Sequence, residues 1–508
     1  MTTIFTALNT ADSGLASDQI AIETIGHNVA NASTPGYSLQ TANLMATPPY
    51  TVPSMMRAIG AGQIGTGVQV TTIGRGRDAL LDGQFRYQNQ YAGQWATTDS
   101  SYTQIQGILP EPSTNGLGER MSNFWNSWQA LADDPTNTGA RAQVQQNGVA
   151  MTSLLNSDAQ QLSTAQLTAD SYVTSDVKTI NNLATQIANL NGQIAAVSAS
   201  NQQPNDLMDQ RDNMIDQLSN IAPITYATQP NGMVTINLAT QVPGSTTLQV
   251  ANGAEAPLVS GTTTNLMLAV PMGVPTYADG NPYINPITFP TIPAPIGGTL
   301  GASINVRDNI IGGANGLITQ LNKIAQAMTQ DVNVQHALGF DMNGVTGKPF
   351  FNVTPPAVAL TAPFTAVGTV TAANITVDPA IIASAQAIAA ASSAGAVGDG
   401  SNAQAVSNER SVVGGVGTPI PGLTIQAGYE NMITTMGATA QLAHNNTQSQ
   451  STVIQSLTAQ RQSVGGVNQD EQMTLLIEFQ HSYEAAARVV TTVDSMLNTI
   501  INHMGLQN

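Results

Sequence analysis

At 508 residues the chain exceeds what one hydrophobic core of roughly 100 to 200 residues can organise, so about three domains are expected. Charged residues make up only 9%, and 31 acidic against 14 basic side chains leave a net charge of −17, which argues against nucleic acid and against an anionic membrane surface. There is no cysteine, which excludes disulfides and thiolate chemistry, and no run of about 18 apolar residues that could span a bilayer.

The start, Met1-Thr2-Thr3-Ile4-Phe5, lacks the basic segment, apolar run and cleavage site of a secretory signal and enters a heptad directly. Ile4, Leu8, Ala11, Leu15, Asp18, Ile22, Ile25 and Val29 step by four and three, with Asp18 as the only polar break in the stripe. Such a repeat lets two helices bury one seam against each other. Pro35 and Gly36 then stop the helix near Asn31, a residue type that tolerates left-handed backbone angles. Residues 67–73 read as a strand, and helix resumes near Asp78 through Leu80, Leu81, Phe85 and Tyr91. Residues 117–132 form a short helix whose Phe124, Trp125 and Trp128 read as a packing anchor, ended by Asp133-Asp134-Pro135.

The proline-free stretch 137–200 steps Ile180, Leu183, Ile187, Leu190, Ile194, Val197. A helix of about 60 residues reaches roughly 90 Å, so the molecule is expected to be elongated. One further helix spans 206–221 before the pattern changes to short Thr- and Val-rich strands among prolines, read as an inserted β domain. Helix is expected again over 306–338, with Leu317, Leu321, Ile324, Met328 and Val332 on one face, then a second β-rich piece over 339–377. A long polar helix over 428–464 ends at Gly465-Gly466. The last helix opens with Asn468 as N-cap and Glu471 three residues on, a capping box, with Asp470 and Glu471 at the positive end of its dipole. Its stripe, Leu476, Phe479, Tyr483, Ala486, Val490, Val493, Leu497 and Ile500, matches the one at the other end of the chain. Two matching stripes predict termini that pair.

Residues able to carry chemistry do not converge. The five histidines are scattered, and His481 with Glu478 and Glu484 reads as a solvated helix face rather than a metal site. Asp341-Met342-Asn343-Gly344 begins like a calcium loop but lacks the Glu at its end and reads as an Asx-rich turn. Neither a phosphate loop nor a nucleophile elbow is present. No cofactor or metal is expected, and a structural protein is favoured over an enzyme. The surface, rich in uncharged Ala, Thr, Asn, Gln, Ser and Gly, points toward self-assembly.

The stretch Asn28-Val29-Ala30-Asn31-Ala32-Ser33-Thr34-Pro35-Gly36-Tyr37-Ser38 resembles the N-terminal signature of bacterial flagellar rod, hook and hook-associated proteins. Within that group, three blocks resemble the hook-associated protein 1 family: Gly67 to Val70 with Ile73, Arg75, Asp78 and Leu81; Leu109 to Pro112 with Phe124 to Gln129, Asp134, Pro135 and Arg141; and Asp209 to Asp212 with Leu218 and Ile221. Val467-Asn468-Gln469-Asp470-Glu471 is similar to the family's C-terminal signature, although Gln472 stands where a further acidic residue is usual, which would weaken one dipole contact. The matches cover roughly residues 1–222, 303–350 and 375–508.

The resemblance implies an extracellular structural subunit at the junction of flagellar hook and filament, exported without a cleaved signal. It also implies a ring of about eleven copies with terminal helices lining the central channel. Expected partners are copies of itself, the hook protein, hook-associated protein 3 and an export chaperone of the FlgN type, with no nucleic acid and no membrane. Subunit-interface residues would be the two stripes, and Asn28, Asn31, Thr34, Gly36, Tyr37, Asn468, Asp470 and Glu471 would carry the family motif.

The expected fold class is α+β and multidomain: an elongated molecule with paired terminal helices, a long helical bundle and inserted β regions. The expected divisions are 1–45 with 466–508, 46–222 with 303–338 and 379–465, then 223–302, and 339–378. Another axial subunit, such as the hook protein or hook-associated protein 3, is the nearest alternative. A coiled-coil surface adhesin would need a secretion signal or anchor, and a secreted enzyme would need a catalytic cluster.

Overall fold

The structure, a computed structural model, describes residues 2–49, 65–238, 258–260, 263–264, 297–353 and 370–503. Helix α1 (Thr2–Asn31) leads into an antiparallel hairpin of β1 (Gln40–Ala46) and β2 (Val68–Arg75). Then come α2 (Ala79–Ile108), α3 (Leu117–Asp133), α4 (Thr138–Ser198) and α5 (Asn205–Ile221). Strands β3 (Ile224–Thr228), β4 (Val234–Leu238), β5 (Val259–Ser260) and β6 (Thr263–Thr264) form one antiparallel sheet in that order. Helices α6 (Gly298–Asn305) and α7 (Leu317–Leu338) follow, then β7 (Phe351–Val353) paired with β8 (Ile375–Val377). The short α8 (Pro379–Ala383) and α9 (Ser401–Asn408) precede the long α10 (Ile425–Gly465) and α11 (Gln469–His503). This is the helix-rich, multidomain α+β class expected. Much of the inserted β region, 239–257 and 265–296, lies outside the described residues, as does 354–369 of the smaller one.

The 61-residue α4 is the long rod anticipated from the proline-free stretch. Its N-terminus is capped by Asn137, whose Oδ1 accepts from the N–H groups of Gly139 and Ala140 at 2.8 and 3.1 Å. Two separate cores share this one helix. Val144, Met151, Leu155 and Leu162 join the core built on Phe124, Trp125 and Trp128, with Phe350, Phe351 and the α7 face. The aromatic rings meet edge-on, Trp128 to Phe350 at 5.3 Å between centroids and Phe124 to Trp125 at 5.2 Å. Ile180, Ile187 and Leu183 instead pack with Ile215, Leu218, Leu300 and Ile236 from α5, α6 and β4.

Two elements differ from the sequence reading. The helix expected over 306–338 is preceded by α6 and a π-helical turn at Val306–Ile311, then broken before α7. Gly313 has φ +76°, and a Cβ on Gly316 would collide with the Gly312 carbonyl, so this turn requires glycine. Arg307 fastens the turn to the rod through Asp170 at 2.7 Å. The start of α6 at Gly298 also trims the C-terminal end of the inserted β region.

Helix α2 is reversed relative to its apolar pattern. It buries Asp82, Arg86, Gln90, Gln94 and Thr98, one per turn, before Tyr102 and Ile105. Leu80 is 69% exposed and Tyr87 56%, while Leu81, Phe85 and Tyr91 are half-buried. The sequence reading located this helix and named no inner face for it.

Two buried titratable groups give the helical body opposite responses to pH. Burial, aided by the charge of Glu111, raises the Asp158 carboxyl to about 7. His336 is wholly buried: its Nε2 accepts from the Ala389 N–H at 2.9 Å, so Nδ1 carries the proton and donates to the Lys348 carbonyl at 2.8 Å. Burial lowers its pKa to about 4. Native Asp158 keeps a proton over about pH 4 to 7 that the unfolded chain has already lost, so it costs increasing stability as pH rises through that window. His336 contributes fully above about pH 6.5, and its contribution is lost as pH falls toward 4, where only the unfolded imidazole has protonated. Asp158→Asn should raise the thermal unfolding temperature by several degrees at pH 8, a gain that vanishes near pH 4. An equal gain at both pH values in calorimetry would show that Asp158 is ionised throughout.

Candidate assembly interface

Helices α1 and α11 pack antiparallel, with Asn28 beside Gln472 and Gly14 facing Ala486. The inner face of α1 follows Ala11, Gly14, Asp18, Ala21, Ile25 and Asn28. Ala11 and Ile25 of the expected stripe lie in it, whereas Leu8, Leu15, Ile22 and Val29 are half-buried beside it. The small side chains explain the shift, because Ala and Gly let the helices approach closely and the bulky residues fall to the flank. On α11, Val493 is 6% exposed, and Leu476, Phe479, Val490 and Leu497 are half-buried. Tyr483 and Ile500 point outward at 40% and 41%, contrary to the uninterrupted seam expected. The Ile4 side chain lies outside the described residues. Met473, Ile477, Val489, Met496 and Ile501 are also exposed, so two helices alone leave much of the apolar surface of α11 in water.

Asp18, the polar break in the stripe, is 8% exposed and enclosed in the single chain. Next to it, Ser13 Oγ accepts from the Val68 N–H at 3.3 Å, which ties the β-hairpin to α1, while the Ser17 hydroxyl donates to the Ser13 carbonyl at 2.8 Å and lies 3.3 Å from the Val68 carbonyl.

The signature loop is organised by Asn28. Its Oδ1 accepts from the Gln40 N–H at 3.0 Å and from the Tyr37 hydroxyl at 2.7 Å, while its Nδ2 donates to the Gln40 carbonyl and to Gln472 Oε1, both at 2.8 Å. Since the one proton of Tyr37 goes to Asn28, His27 Nδ1 donates to the tyrosine oxygen at 3.0 Å. Burial, with Asp206 and Asp209 nearby, pushes the Tyr37 phenol well above its ordinary range, so it remains a donor. Asn31 ends the helix through its side chain rather than a left-handed backbone: Nδ2 donates to the His27 carbonyl and Oδ1 accepts from Thr34 Oγ1. Gly36 has φ +82°, and a Cβ there would lie 3.0 Å from the Asn213 Cβ. Gln472 was expected only to weaken a dipole contact; it is instead 2% exposed and forms the α11 half of this lock.

Below the loop, α5 presents a row of carboxylates: Asp206, Asp209, Asp212 and Asp216. Asp209 accepts from Ser38 N–H and Oγ, both at 2.8 Å, and from Arg75 at 2.7 Å. Arg75 also reaches Asp212 at 2.9 Å. Arg86 reaches Asp212 at 3.3 Å and Asp216 at 2.6 Å, and Arg461 of α10 bridges Asp82 at 2.8 Å and Asp216 at 2.7 Å. Gln40 Nε2 donates to Asp206 at 2.7 Å. Burial opposes the charge on Asp212, but Arg77, Arg75, Arg86 and Arg211 together hold it below the usual carboxylate range. Arg77 feels the same burial, and the hydrogen bond to Asp82 and the charges of Asp212, Asp82 and Asp216 overcome it and raise its pKa. Sequence reasoning missed this joint; Ser38, Arg75 and the Asp209-Gln210-Arg211-Asp212 block entered only as parts of the family resemblance.

Three chain crossings meet at the joint. Leu39 N–H donates to the Gly465 carbonyl at 2.8 Å, and Gly76 N–H to the Leu39 carbonyl at 2.7 Å. A Cβ on Gly465 would overlap the Gly76 carbonyl, so the glycine pair ending α10 is needed for close approach. A cleft of about 720 Å³ opens here between the signature loop, Arg77, Phe85, Arg461 and the start of α11. Asn468 caps α11 by accepting from the N–H groups of Asp470 and Glu471 at 3.1 and 3.4 Å. The return bond of a capping box, from Glu471 to Asn468, does not form among the described residues. In the turn that resembles a calcium loop, Asp341 is occupied by the N–H groups of Asn343 and Val345 and by Lys348 Nζ at 3.1 Å. Among the described residues no group of three or more His, Cys, Asp or Glu side chains could hold a metal ion.

Three family models match. One describes the helical domain of the flagellar hook-associated protein FlgK, over residues 102–351; the others describe the C-terminal region of flagellar basal body rod FlgEFG proteins, over 458–503, and the flagella basal body rod protein, over 8–37. Flagellar hook-associated protein 1 of Bacillus subtilis is 30% identical over 521 aligned positions, covering 100% of this chain and 99% of the relative. That of Escherichia coli is 26% identical over 97% of this chain and 99% of its own. The solved flagellar hook junction protein FlgK from Burkholderia pseudomallei shares the fold, with a TM-score of 0.57 at 18% identity, over 75% of this chain and 100% of that structure.

Two substitutions separate the lock from the joint. Asn28→Ala strands the Gln40 backbone and the Gln472 amide, at about 1–3 kcal/mol per buried unsatisfied group. Hydrogen exchange should then show lost protection in the first turns of α11 and unchanged protection in α4. Asp209→Ala leaves Arg75 short of a buried partner and should cost about 3–5 kcal/mol. If neither variant changes exchange within α1, α5 or α11, the two clusters do not hold these elements together.

Proposed function

The chain belongs to the flagellar hook-associated protein 1 family, a structural component of the bacterial flagellum at the hook-filament junction, and from that premise we propose that the α1–α11 pair is its assembly surface. Copies would join in a ring of about eleven, in which Leu8, Leu15, Ile22, Val29, Leu476, Phe479, Tyr483, Val490, Leu497 and Ile500 complete their burial against neighbouring copies. The hook protein would adjoin the ring on one side and hook-associated protein 3 on the other. Export by the flagellar apparatus would deliver the chain outside the cell without a cleaved signal, with a chaperone of the FlgN type covering α11 beforehand.

The observation that carries this reading is the half-filled seam. A finished two-helix unit has no reason to expose Met473 and Ile477 on one flank of α11, Val489 and Met496 on the other and Ile501 near its end, and apolar side chains left open on both sides of a seam mark contacts yet to be made. The signature residues fit the same role at one remove: Asn28, Asn31, Thr34, Gly36 and Tyr37 fix the exit of α1, and Asn468, Asp470 and Glu471 the entry of α11, so both helices are presented in one orientation.

Val493→Asp, which places a carboxylate in the buried part of the seam, should leave the α3–α4–α7 core folded and prevent incorporation. Complementation of motility in a strain lacking the protein, with immunogold labelling of the hook tip, provides the readout. Normal swimming with label at the junction would refute terminal pairing as the assembly surface.

A further inference from the structure

Sulfur enters this chain only as methionine: there are 18 of them and no cysteine. Oxidation of a thioether follows access to it, and access divides the described methionines. Met121, Met151 and Met328 are enclosed in the larger core, at most 1% exposed, whereas Met45 of β1 is 54% exposed, Met473 of α11 48% and Met496 of α11 50%. Two of the three exposed thioethers therefore lie on one helix of the terminal pair. They sit on different flanks, Met473 one turn before the exposed Ile477 and Met496 two turns beyond the exposed Val489. Met473 also directly follows Gln472, whose Oε1 accepts from Asn28 in the lock.

Hydrogen peroxide can reach either sulfur while the flanks of α11 are uncovered. A sulfur lone pair attacks one peroxide oxygen and the O–O bond breaks. The departing oxygen takes up the proton of the transferred one and leaves as water, and the thioether, oxidised by two electrons, becomes a sulfoxide. The product exchanges a soft apolar group for a polar S=O acceptor. In water that oxygen is hydrated. Pressed against a neighbouring helix it finds no donor, because the N–H groups of a helix interior are already bonded to carbonyls four residues back and the adjoining Ile477 and Val489 are aliphatic. A copy in a closed ring uses both flanks, so one sulfoxide on either side is enough to deny it a neighbour. Sulfoxide reductases restore the thioether, which makes the change reversible. We propose that Met473 and Met496 are peroxide-oxidation sites through which the unassembled chain is reversibly barred from assembly. This rests on the reading that α1 and α11 form the assembly surface.

The test induces the full-length chain in a strain lacking it and scores newly built hook tips by immunogold label, with and without hydrogen peroxide at a dose that converts Met45. Peptide mapping of the unassembled chain should find sulfoxide at Met473 and Met496 and little at Met121, Met151 or Met328. Label at hook tips should fall several-fold under peroxide. The Met473→Leu/Met496→Leu chain, scored against its own untreated culture because both positions belong to the proposed contact, should lose far less. Equal losses in the two chains overturn the proposal, as do intact thioethers at Met473 and Met496 when Met45 is converted. Normal label from a chain that carries both sulfoxides overturns it as well. Val493→Asp, scored alongside, separates this failure from that of the assembly reading: if that variant is excluded from hook tips, only the oxidation sites fall, and if it is incorporated, the terminal surface falls with them.

Discussion

The row of carboxylates on α5 is the constraint on which the rest of the molecule depends. A chain with so few basic residues places Arg75, Arg77, Arg86 and Arg461 around Asp209, Asp212 and Asp216, and Asp209 also holds the end of the signature loop through Ser38. Taking these ions out of water is costly, and their mutual attraction is offset in large part by that desolvation. What such an arrangement supplies is direction: each guanidinium has only one set of acceptors in reach. The exit of α1, the start of α2, the end of α10 and the entry of α11 are thereby set relative to the two cores sharing α4. Shifting the α5 row by one turn would misalign all of them together.

The terminal pair is held by different physics. Its lock is neutral: two amides, Asn28 and Gln472, with a tyrosine whose phenol burial keeps protonated. A carboxylate in place of Gln472 would bury a charge against a single amide donor, a poor replacement for its hydration. The lock therefore does not titrate, and salt has little to screen. The joint does respond, because the depressed Asp212 contributes stability above about pH 4 that is lost as acid protonates it. Acid would thus free the terminal pair from the helical body before it separated the two helices.

Much of this was legible in the sequence, and the exceptions share one cause. Apolar periodicity located α4, α7 and α11 because their cores are apolar, and the Asn468 cap and Pro35-Gly36 stop marked helix ends. The same signal located α2 but is silent on its buried face, which is Asp82, Arg86, Gln90, Gln94 and Thr98. It placed the α1 seam partly one residue off because Ala and Gly, not Leu and Ile, set the closest approach. The joint left almost no trace, since its partners lie far apart in sequence: Arg86 meets Asp216, and Asn28 meets Gln472 across nearly the whole chain. A polar contact of that kind has no period, and only the fold brings its halves together.

The uneven placement of charge also explains how an acidic chain can gather copies of itself. Repulsion between like-charged molecules falls with distance and salt, so contact surfaces need only be locally neutral. In this molecule seven of the fourteen basic residues, Arg75, Arg77, Arg86, Arg141, Arg211, Arg307 and Arg461, are committed to the joint or to buried contacts, while Lys178, Arg410 and Arg488 stay exposed. Among the described residues, the outer face of α2 and the exposed stretch of α10 between Glu430 and Arg461 carry no charge, whereas α11 exposes Glu478, Glu484, Arg488 and Asp494 beside its apolar side chains. Removing arginine from the surface and neutralising the inner face of α2 are one structural choice. The same buried ion pairs that fix the orientation of the terminal helices leave the outer side of α2 free of charge.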